Sequence, residues 1–217
     1  MDVILVGVIR AKIEKEPYNY EAYEDLFSVA RNALTTDKKE ALRLSAELRS
    51  ICEKHIRLLD GVIIPRLVSL IDRTLLFEAP HVFDSYMLYL EKNRRPNERF
   101  YKPRRKKLKI VVDAIQELVD DELDELFIAM PPRVGKTTLI LFALTWIIGR
   151  NSELANLYSA YSDVITAAMY SGVLEVINDK YTYTWHEIFP DSKIVSTNAK
   201  DEIVNIDRKK RYPSLTC

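Results

Sequence analysis

The stretch FIAMPPRVGKTTLI, residues 127–140, decides how the second half of this chain is interpreted. Its ending GKT, at residues 135–137, matches the end of the phosphate-binding pattern G-x-x-x-x-G-K-[ST], which joins a strand to a helix. Met130 stands where the first glycine of that pattern belongs, and two prolines follow it. Such a loop must therefore bind phosphate with fewer backbone donors than the usual glycine-rich loop.

The prolines leave a sufficient set of backbone donors. Pro131 and Pro132 lack an N–H group and cannot donate, but they restrict φ and stiffen the turn. The remaining amides converge on the positive end of the next helix, where anions bind. These amides belong to Arg133, Val134, Gly135, Lys136 and Thr137. The alternative interpretation is a proline-containing turn in which a threonine caps the helix.

Side chains of the same loop extend the prediction to ATP and Mg²⁺. Lys136 is placed to neutralise the β- and γ-phosphates, and the Thr137 hydroxyl is the predicted Mg²⁺ ligand. Arg133 offers a guanidinium for charge that develops on the γ-phosphate. We therefore predict that Arg133 and Lys136 are catalytic. The other predicted cofactor contacts in the loop are Pro132, Val134, Gly135 and Thr138.

Apolar runs on both sides of the loop predict an α/β fold. The run Leu126–Met130 predicts a buried strand that enters the loop, and a nearly all-apolar helix follows it. Later segments predict a strand, a helix capped by Ser162 and two further strands, at 155–161, 163–177, 193–196 and 202–206. This order indicates a parallel sheet with flanking helices, the architecture of P-loop NTPases. The last segment, EIVNID, is interpreted as a structural strand or hairpin.

The chain is predicted to have two domains. Residues 1–92 show apolar positions at helical spacing and form a helical N-terminal module, while residues 93–217 form the ATPase domain. Nine basic residues between Arg94 and Lys109 are opposed by Glu98 alone, and five acids follow at 120–125. The basic run is either a solvated surface or a strip that contacts phosphates of DNA or of a nucleotide.

Composition and residue spacing argue against a membrane-spanning, a disulfide-stabilised or a metal-binding protein. Charges balance at 32 basic and 32 acidic residues, and no apolar stretch reaches the length that spans a membrane. Cys52 and Cys217 provide no disulfide framework, and the three histidines are isolated without metal-ligand spacing. We expect a soluble intracellular protein.

The loop and its flanks resemble one known family. The segment AMPPRVGKTT is similar to the phosphate loop of the large terminase subunit, the DNA-packaging ATPase of tailed double-stranded DNA phages. The resemblance covers roughly residues 74–217, through FEAPHVFDSYMLYLEKNRRPNERFYKPRRKKL upstream and ANLYSAYSDVITAAMYSGVLEVIND, IFPDSKI and RKKRYPSLT downstream. It implies a viral motor in the host cytoplasm that couples ATP hydrolysis to translocation of double-stranded DNA. Its implied partners are the small terminase subunit and the portal, with neighbouring copies in a ring.

The resemblance also implies roles for residues outside the loop. Phe100, Tyr101 and Arg104 match a strip that helps hold adenine, although an exposed basic linker explains this strip equally well. Ser159, Tyr161 and Ser162 match a loop that couples nucleotide state to DNA, although a helix cap explains Ser162 too.

Two features of the family lie outside the similar region. The resemblance places the metal-holding carboxylates and the nuclease domain beyond Cys217, so we expect this chain to bind Mg-ATP and to hydrolyse it poorly. Two alternatives stay open: a helicase-like translocase of the same superfamily, and a non-enzymatic helical fragment that docks on the small terminase subunit or the portal.

Overall fold

The computed structural model describes residues 3–207 and 211–217. The chain divides into two compact units, which we call the N-terminal unit (Met1–Glu78) and the C-terminal unit (Ala79–Cys217). This division comes earlier than the boundary at residue 92 that the sequence pattern indicated. The reason is that the fifth helix, Phe83–Leu90, packs on later helices of the C-terminal unit.

The N-terminal unit is all-helical, as predicted. Its helices are α1 (Val3–Lys15), α2 (Tyr20–Ala33), α3 (Lys38–Ile56) and α4 (Ile63–Glu78). Asp37 begins α3 by accepting a hydrogen bond from the Glu40 amide at 3.0 Å, which satisfies a donor left free at the helix start. Leu26, Leu44 and Leu67 are fully buried between these helices. Burial of apolar side chains therefore holds this unit together.

The C-terminal unit combines helices with a small mixed sheet, which confirms the α/β class. Its helices are α5 (Phe83–Leu90), α6 (Tyr101–Val119), α7 (Lys136–Arg150), α8 (Asp163–Asn178) and α9 (Trp185–Ile188). Its strands are β1 (Asn156–Leu157), β2 (Ile194–Asn198), β3 (Ile203–Ile206) and β4 (Leu215–Thr216). The sheet order is β1-β4-β3-β2. The pair β1–β4 is parallel, while β2–β3 and β3–β4 are antiparallel.

The sheet differs from the parallel sheet that the sequence predicted. The strands β2 and β3 form a hairpin, which confirms the interpretation of EIVNID as a structural element. The predicted strand at 155–161 is limited to two residues. The run Leu126–Met130 pairs with no strand in the described part of the chain, and Phe127 is 88% exposed. An apolar run becomes a strand only where a neighbouring strand completes its backbone hydrogen bonds.

Aromatic side chains fix α7 within the C-terminal unit. Trp146 is fully buried, and its indole donates to the Ala79 carbonyl at 2.9 Å. Trp185 of α9 donates to the Thr145 carbonyl at 3.0 Å, and the Thr145 hydroxyl lies 2.8 Å from the Tyr86 hydroxyl of α5. These contacts hold the helix that follows the GKT sequence between α5 and α9. Among the described residues, no helix is both long and apolar enough to cross a membrane.

The N-terminal unit contains a buried histidine, from which we expect a dependence of its stability on pH. His55 Nδ1 lies 2.5 Å from the Tyr23 hydroxyl, and the pKa of His55 is lowered by burial and then by the Lys54 ammonium. Because this pKa lies below that of the unfolded chain, protonation favours unfolding. We expect stability to be full above about pH 6.5 and to fall as the pH decreases through that value.

Thermal unfolding at several pH values checks this expectation. Both tryptophans, Trp146 and Trp185, lie in the C-terminal unit, so their fluorescence follows that unit while circular dichroism follows both. The His55→Gln variant should lose part of the pH dependence in circular dichroism between about pH 7 and 5, and His186→Gln should retain it. An identical pH dependence in wild type and His55→Gln would contradict the assignment.

Candidate functional site

The GKT loop, residues 130–138, has an unusual backbone where it enters α7. Gly135 caps the helix in the left-handed conformation, with φ 95° and ψ 28°. Arg133 also has positive φ, at 62°. Positive φ is uncommon for a residue with a side chain, and such strain concentrates at functional sites. The loop therefore enters α7 through two residues in the left-handed region, Arg133 and Gly135.

The backbone amides at the start of α7 are free to donate. The first intrahelical bond runs from the Leu139 amide to the Gly135 carbonyl at 3.0 Å. Within the described residues, the amides of Gly135, Lys136, Thr137 and Thr138 donate to no protein acceptor. Lys136 and Thr137 are exposed. These donors are the unpaired groups that every helix N-terminus carries, and such groups commonly bind anions.

The Lys136 side chain folds back over the loop. Its ammonium donates to the Met130 carbonyl at 3.0 Å, so the bond joins the beginning of the loop to its end. An ammonium group has three donors, and this contact occupies one of them. The positive charge is therefore turned back towards the beginning of the loop rather than pointing away from it.

Phe100 packs directly on the loop glycine. A Cβ atom added to Gly135 would lie 2.2 Å from Phe100 Cε2, closer than non-bonded carbon atoms approach each other. The Phe100 ring also makes an edge-to-face contact with Phe142, with centroids 6.0 Å apart. The Arg104 guanidinium lies 5.3 Å from the centre of the Phe100 ring and donates to the Phe100 carbonyl at 2.9 Å. The fold thus brings Phe100 to the loop and Arg104 to the Phe100 ring. The resemblance placed both residues near adenine.

Tyr101, which the resemblance placed in the strip that helps hold adenine, has a structural role instead. It is fully buried, and its hydroxyl donates to Asp84 Oδ1 at 2.5 Å. Asp84 also accepts two hydrogen bonds from Arg105, at 2.9 and 2.6 Å. Burial and the Asp84 carboxylate raise the pKa of Tyr101. Burial alone would raise the pKa of Asp84, but the bonds from Arg105 and Tyr101 hold it below its ordinary value. Tyr101 therefore offers no ring face for stacking on a base.

Other predicted positions have local structural roles. Ser162 caps α8 by accepting from the Val164 amide at 3.3 Å, so the helix-cap interpretation holds. Tyr161 beside it is 93% exposed. Asp207 pairs with Lys193 through backbone and side chain, at 2.8 and 3.0 Å. These contacts explain the local backbone and place neither Ser162 nor Asp207 against the GKT loop.

The Thr137 hydroxyl is the metal ligand that the sequence predicts in the GKT loop. Thr137 is the second residue of α7 and is exposed. Within residues 3–207 and 211–217, no group of three or more His, Cys, Asp or Glu side chains is arranged to hold a metal ion. A Mg²⁺ ion at this loop would therefore depend on Thr137 and on the oxygens of a bound phosphate chain.

Glu91 and Tyr183 are site residues that the sequence did not reveal. Glu91 is 2% exposed and accepts hydrogen bonds from the amides of Phe100 and Tyr101. Tyr183 contacts the Phe142 ring edge-to-face at 6.0 Å, on the helix that Phe100 also contacts. Neither residue lies at a distance along the sequence from the loop that a helix cap or a known motif would have. No local sequence signal therefore identifies either of them.

Comparisons with known proteins found no match. No protein-family model, curated protein or solved structure matches this chain.

The contact between Gly135 and Phe100 gives a testable prediction. Gly135→Ala introduces both a strained φ and a steric overlap with the ring, whereas Gly61→Ala, at φ 75°, introduces the strain with nothing within 4 Å. We expect Gly61→Ala to lower the free energy of unfolding by about 1–2 kcal/mol. Gly135→Ala should lower it by about 1–3 kcal/mol more.

Urea unfolding followed by circular dichroism measures both changes, and Phe100→Ala provides the check. In a Phe100→Ala background the overlap is gone, so Gly135→Ala should cost about as much as Gly61→Ala. Equal effects of the two glycine substitutions in the wild-type background would show that the ring does not constrain the loop.

Proposed function

We propose that the GKT loop binds the triphosphate of ATP and that this chain is the ATPase part of a viral DNA-packaging motor, the large terminase subunit of tailed double-stranded DNA phages. One observation carries the proposal. The free amides at the start of α7 and the Lys136 ammonium lie together on an exposed loop, and the predicted adenine-side residue Phe100 contacts Gly135. The first part of this arrangement fits a phosphate chain, and the second gives the base a neighbouring surface.

The Lys136 ammonium should bind a phosphate oxygen more strongly than it binds the Met130 carbonyl. The ammonium now donates to a neutral carbonyl, and a phosphate oxygen would replace that contact by a charge-assisted hydrogen bond. The exposed Arg133 side chain supplies a second positive charge beside the loop. Arg104, held over the Phe100 ring, supplies a third on the side proposed for adenine. Pro132, Val134 and Thr138 complete the proposed contacts.

We also propose that the C-terminal unit is a P-loop NTPase domain. In it, the run Leu126–Met130, which pairs with no strand among the described residues, takes the place of the strand that leads into the loop, and α7 is the helix that follows. The parallel pair β1–β4 is the part of the sheet that supports this topology.

The proposed chemistry is ATP binding with poor hydrolysis by this chain alone. Mg²⁺ would supply charge neutralisation between the phosphates, with Thr137 as its protein ligand. Arg133 and Lys136 stabilise negative charge on the phosphates. The described residues provide no cluster of carboxylates that could hold the ion firmly, and weak metal binding is the reason that we expect slow hydrolysis.

The proposed polymeric partner is double-stranded DNA. On α6, the side chains of Lys102, Lys106 and Lys107 are exposed, and within the described residues they form no ion pair. Unpaired lysines on one helix favour contact with a phosphate backbone. The small terminase subunit, the portal, a ring of copies and the host cytoplasm belong to the same proposal.

A docking role is the second candidate, and the independent core of the N-terminal unit favours it. That unit is compact on its own, with Leu26, Leu44 and Leu67 fully buried. This candidate requires partner binding that is independent of ATP, whereas the motor requires a nucleotide-dependent effect.

Replacement of Lys136 tests the ATP site. Lys136→Met keeps the length and apolar stem but removes the charge, so affinity for Mg-ATP should fall about tenfold or more. Lys180→Met, on an exposed lysine outside the loop, is the matched control and should bind as wild type does. Equilibrium dialysis with Mg-ATP measures both affinities. Equal affinity of Lys136→Met and wild type would refute the site.

Salt-dependent DNA binding tests the basic face of α6. Each lysine that contacts a phosphate contributes about 0.9 to the slope of log K against log salt. Lys106→Ala/Lys107→Ala should therefore weaken binding to a duplex and reduce the slope by about 2. The exposed adjacent pair Lys38→Ala/Lys39→Ala in the N-terminal unit is the control and should leave both quantities unchanged. Fluorescence anisotropy at several salt concentrations gives the slopes, and equal effects of the two pairs would count against a specific surface.

A further inference from the structure

Glu91 is a buried carboxylate directly after α5 that holds the start of α6. Both of its oxygens accept from the Phe100 amide at 3.0 Å, and Oε2 also accepts from the Tyr101 amide at 2.9 Å. Arg94 donates to Oε1 at 2.9 Å and neutralises the charge. A carboxylate at a helix N-terminus is stabilised by the unpaired amides and by the helix dipole. Glu91 therefore determines where the backbone of Phe100 lies.

A second interaction restrains the segment between α5 and α6. The Arg99 guanidinium donates to the Arg94 carbonyl at 2.9 Å and to the Lys92 carbonyl at 2.6 Å. Hydrogen bonds of two charged side chains, Glu91 and Arg99, thus connect the two ends of the segment 91–100. Because its end is tied to Glu91, Phe100 has little freedom to move along or away from α7.

The Phe100 ring transmits this restraint to the GKT loop. It lies against Gly135 at the start of α7 and against Phe142 two turns later. Phe142 is supported on another edge by Tyr183, whose hydroxyl accepts from Arg94 at 3.3 Å. Glu91, Arg94, Tyr183, Phe142 and Phe100 therefore form a continuous set of contacts that ends at Gly135.

We propose that Glu91 is a positioning residue for the GKT loop, acting through the Phe100 ring to keep Gly135 and the first turn of α7 in the conformation that presents the free amides. For the identity of the ligand, this inference rests on the proposed function; for the contact itself, it rests on geometry alone. Glu91 does not touch the ligand. Its loss should loosen the loop and weaken phosphate binding together.

The test begins with Glu91→Gln and a matched control, Glu98→Gln. In Glu91→Gln the negative charge is removed and one acceptor oxygen becomes an NH₂ donor that faces the Phe100 amide and the Arg94 guanidinium, so the cap is weakened with little change in shape. Glu98 is exposed in the same segment. Hydrogen–deuterium exchange of residues 139–143, whose protecting bonds begin at the Gly135 carbonyl, reports the first turns of α7 without any ligand. We expect about tenfold faster exchange there and about tenfold weaker Mg-ATP binding in Glu91→Gln, with neither change in Glu98→Gln.

A double-mutant cycle with Phe100→Ala distinguishes positioning from a general loss of stability. If Glu91 acts through the ring, Glu91→Gln should add no further change in exchange or affinity once the ring is gone. Additive effects of the two substitutions would overturn the proposal. If wild type binds no Mg-ATP, the proposed function fails, and the exchange measurements alone still decide whether Glu91 positions the loop.

Glu91→Asp keeps the test decisive if Glu91→Gln does not fold. It retains the buried charge beside Arg94 but shortens the side chain by one methylene, so the carboxylate no longer reaches the Phe100 and Tyr101 amides without displacing α6. Faster exchange of residues 139–143 in Glu91→Asp supports the proposal, and wild-type exchange overturns it.

Discussion

The contact between the Phe100 ring and Gly135 is the constraint on which the candidate site depends. It links a residue just before α6 to the residue just before α7, and a Cβ atom at position 135 would overlap the ring. Glycine is therefore required twice at this position, once for its positive φ and once for the space beside it. With the ring in place, the start of α7 is held while its amides donate to no acceptor among the described residues. A rigid helix start with open donors is the arrangement that binding of an anion requires.

The start of α6 combines opposing electrostatic effects. Positive side chains such as Lys102 and Arg104 lie in its first turn, next to the positive end of the helix dipole, where each costs about 0.3–1 kcal/mol. Two buried carboxylates offset this cost. Glu91 accepts hydrogen bonds from the first amides, and Asp84 pairs with Arg105 while it accepts from Tyr101. A helix with so many cations at its N-terminus is therefore stable here because acids from α5 and the residue after it are buried against it.

The ion pairs of Glu91 with Arg94 and of Asp84 with Arg105 also explain why the zero net charge does not indicate a partner. Paired cations such as Arg94 and Arg105 are used inside the fold, whereas Lys106 and Lys107 stay exposed on α6. The pairing separates structural positive charge from positive charge that is available to a partner. The proposed DNA contact involves the second group only, and the proposed ATP site involves Lys136 and Arg133 on a separate segment.

The sequence by itself determined the elements whose signals are local. The GKT loop, the helices of the N-terminal unit, the Ser162 cap and the β2–β3 hairpin follow from apolar spacing, capping residues and turns within a few positions. Only the tertiary structure decided the boundary after Glu78, the burial of Tyr101, the contact of Phe100 with Gly135 and the role of Glu91. It also left Leu126–Met130 without a strand partner among the described residues. The physical reason is distance along the chain: spacing within one element encodes the conformation of its backbone, but packing partners and hydrogen-bond acceptors far away in sequence are selected only when the chain folds.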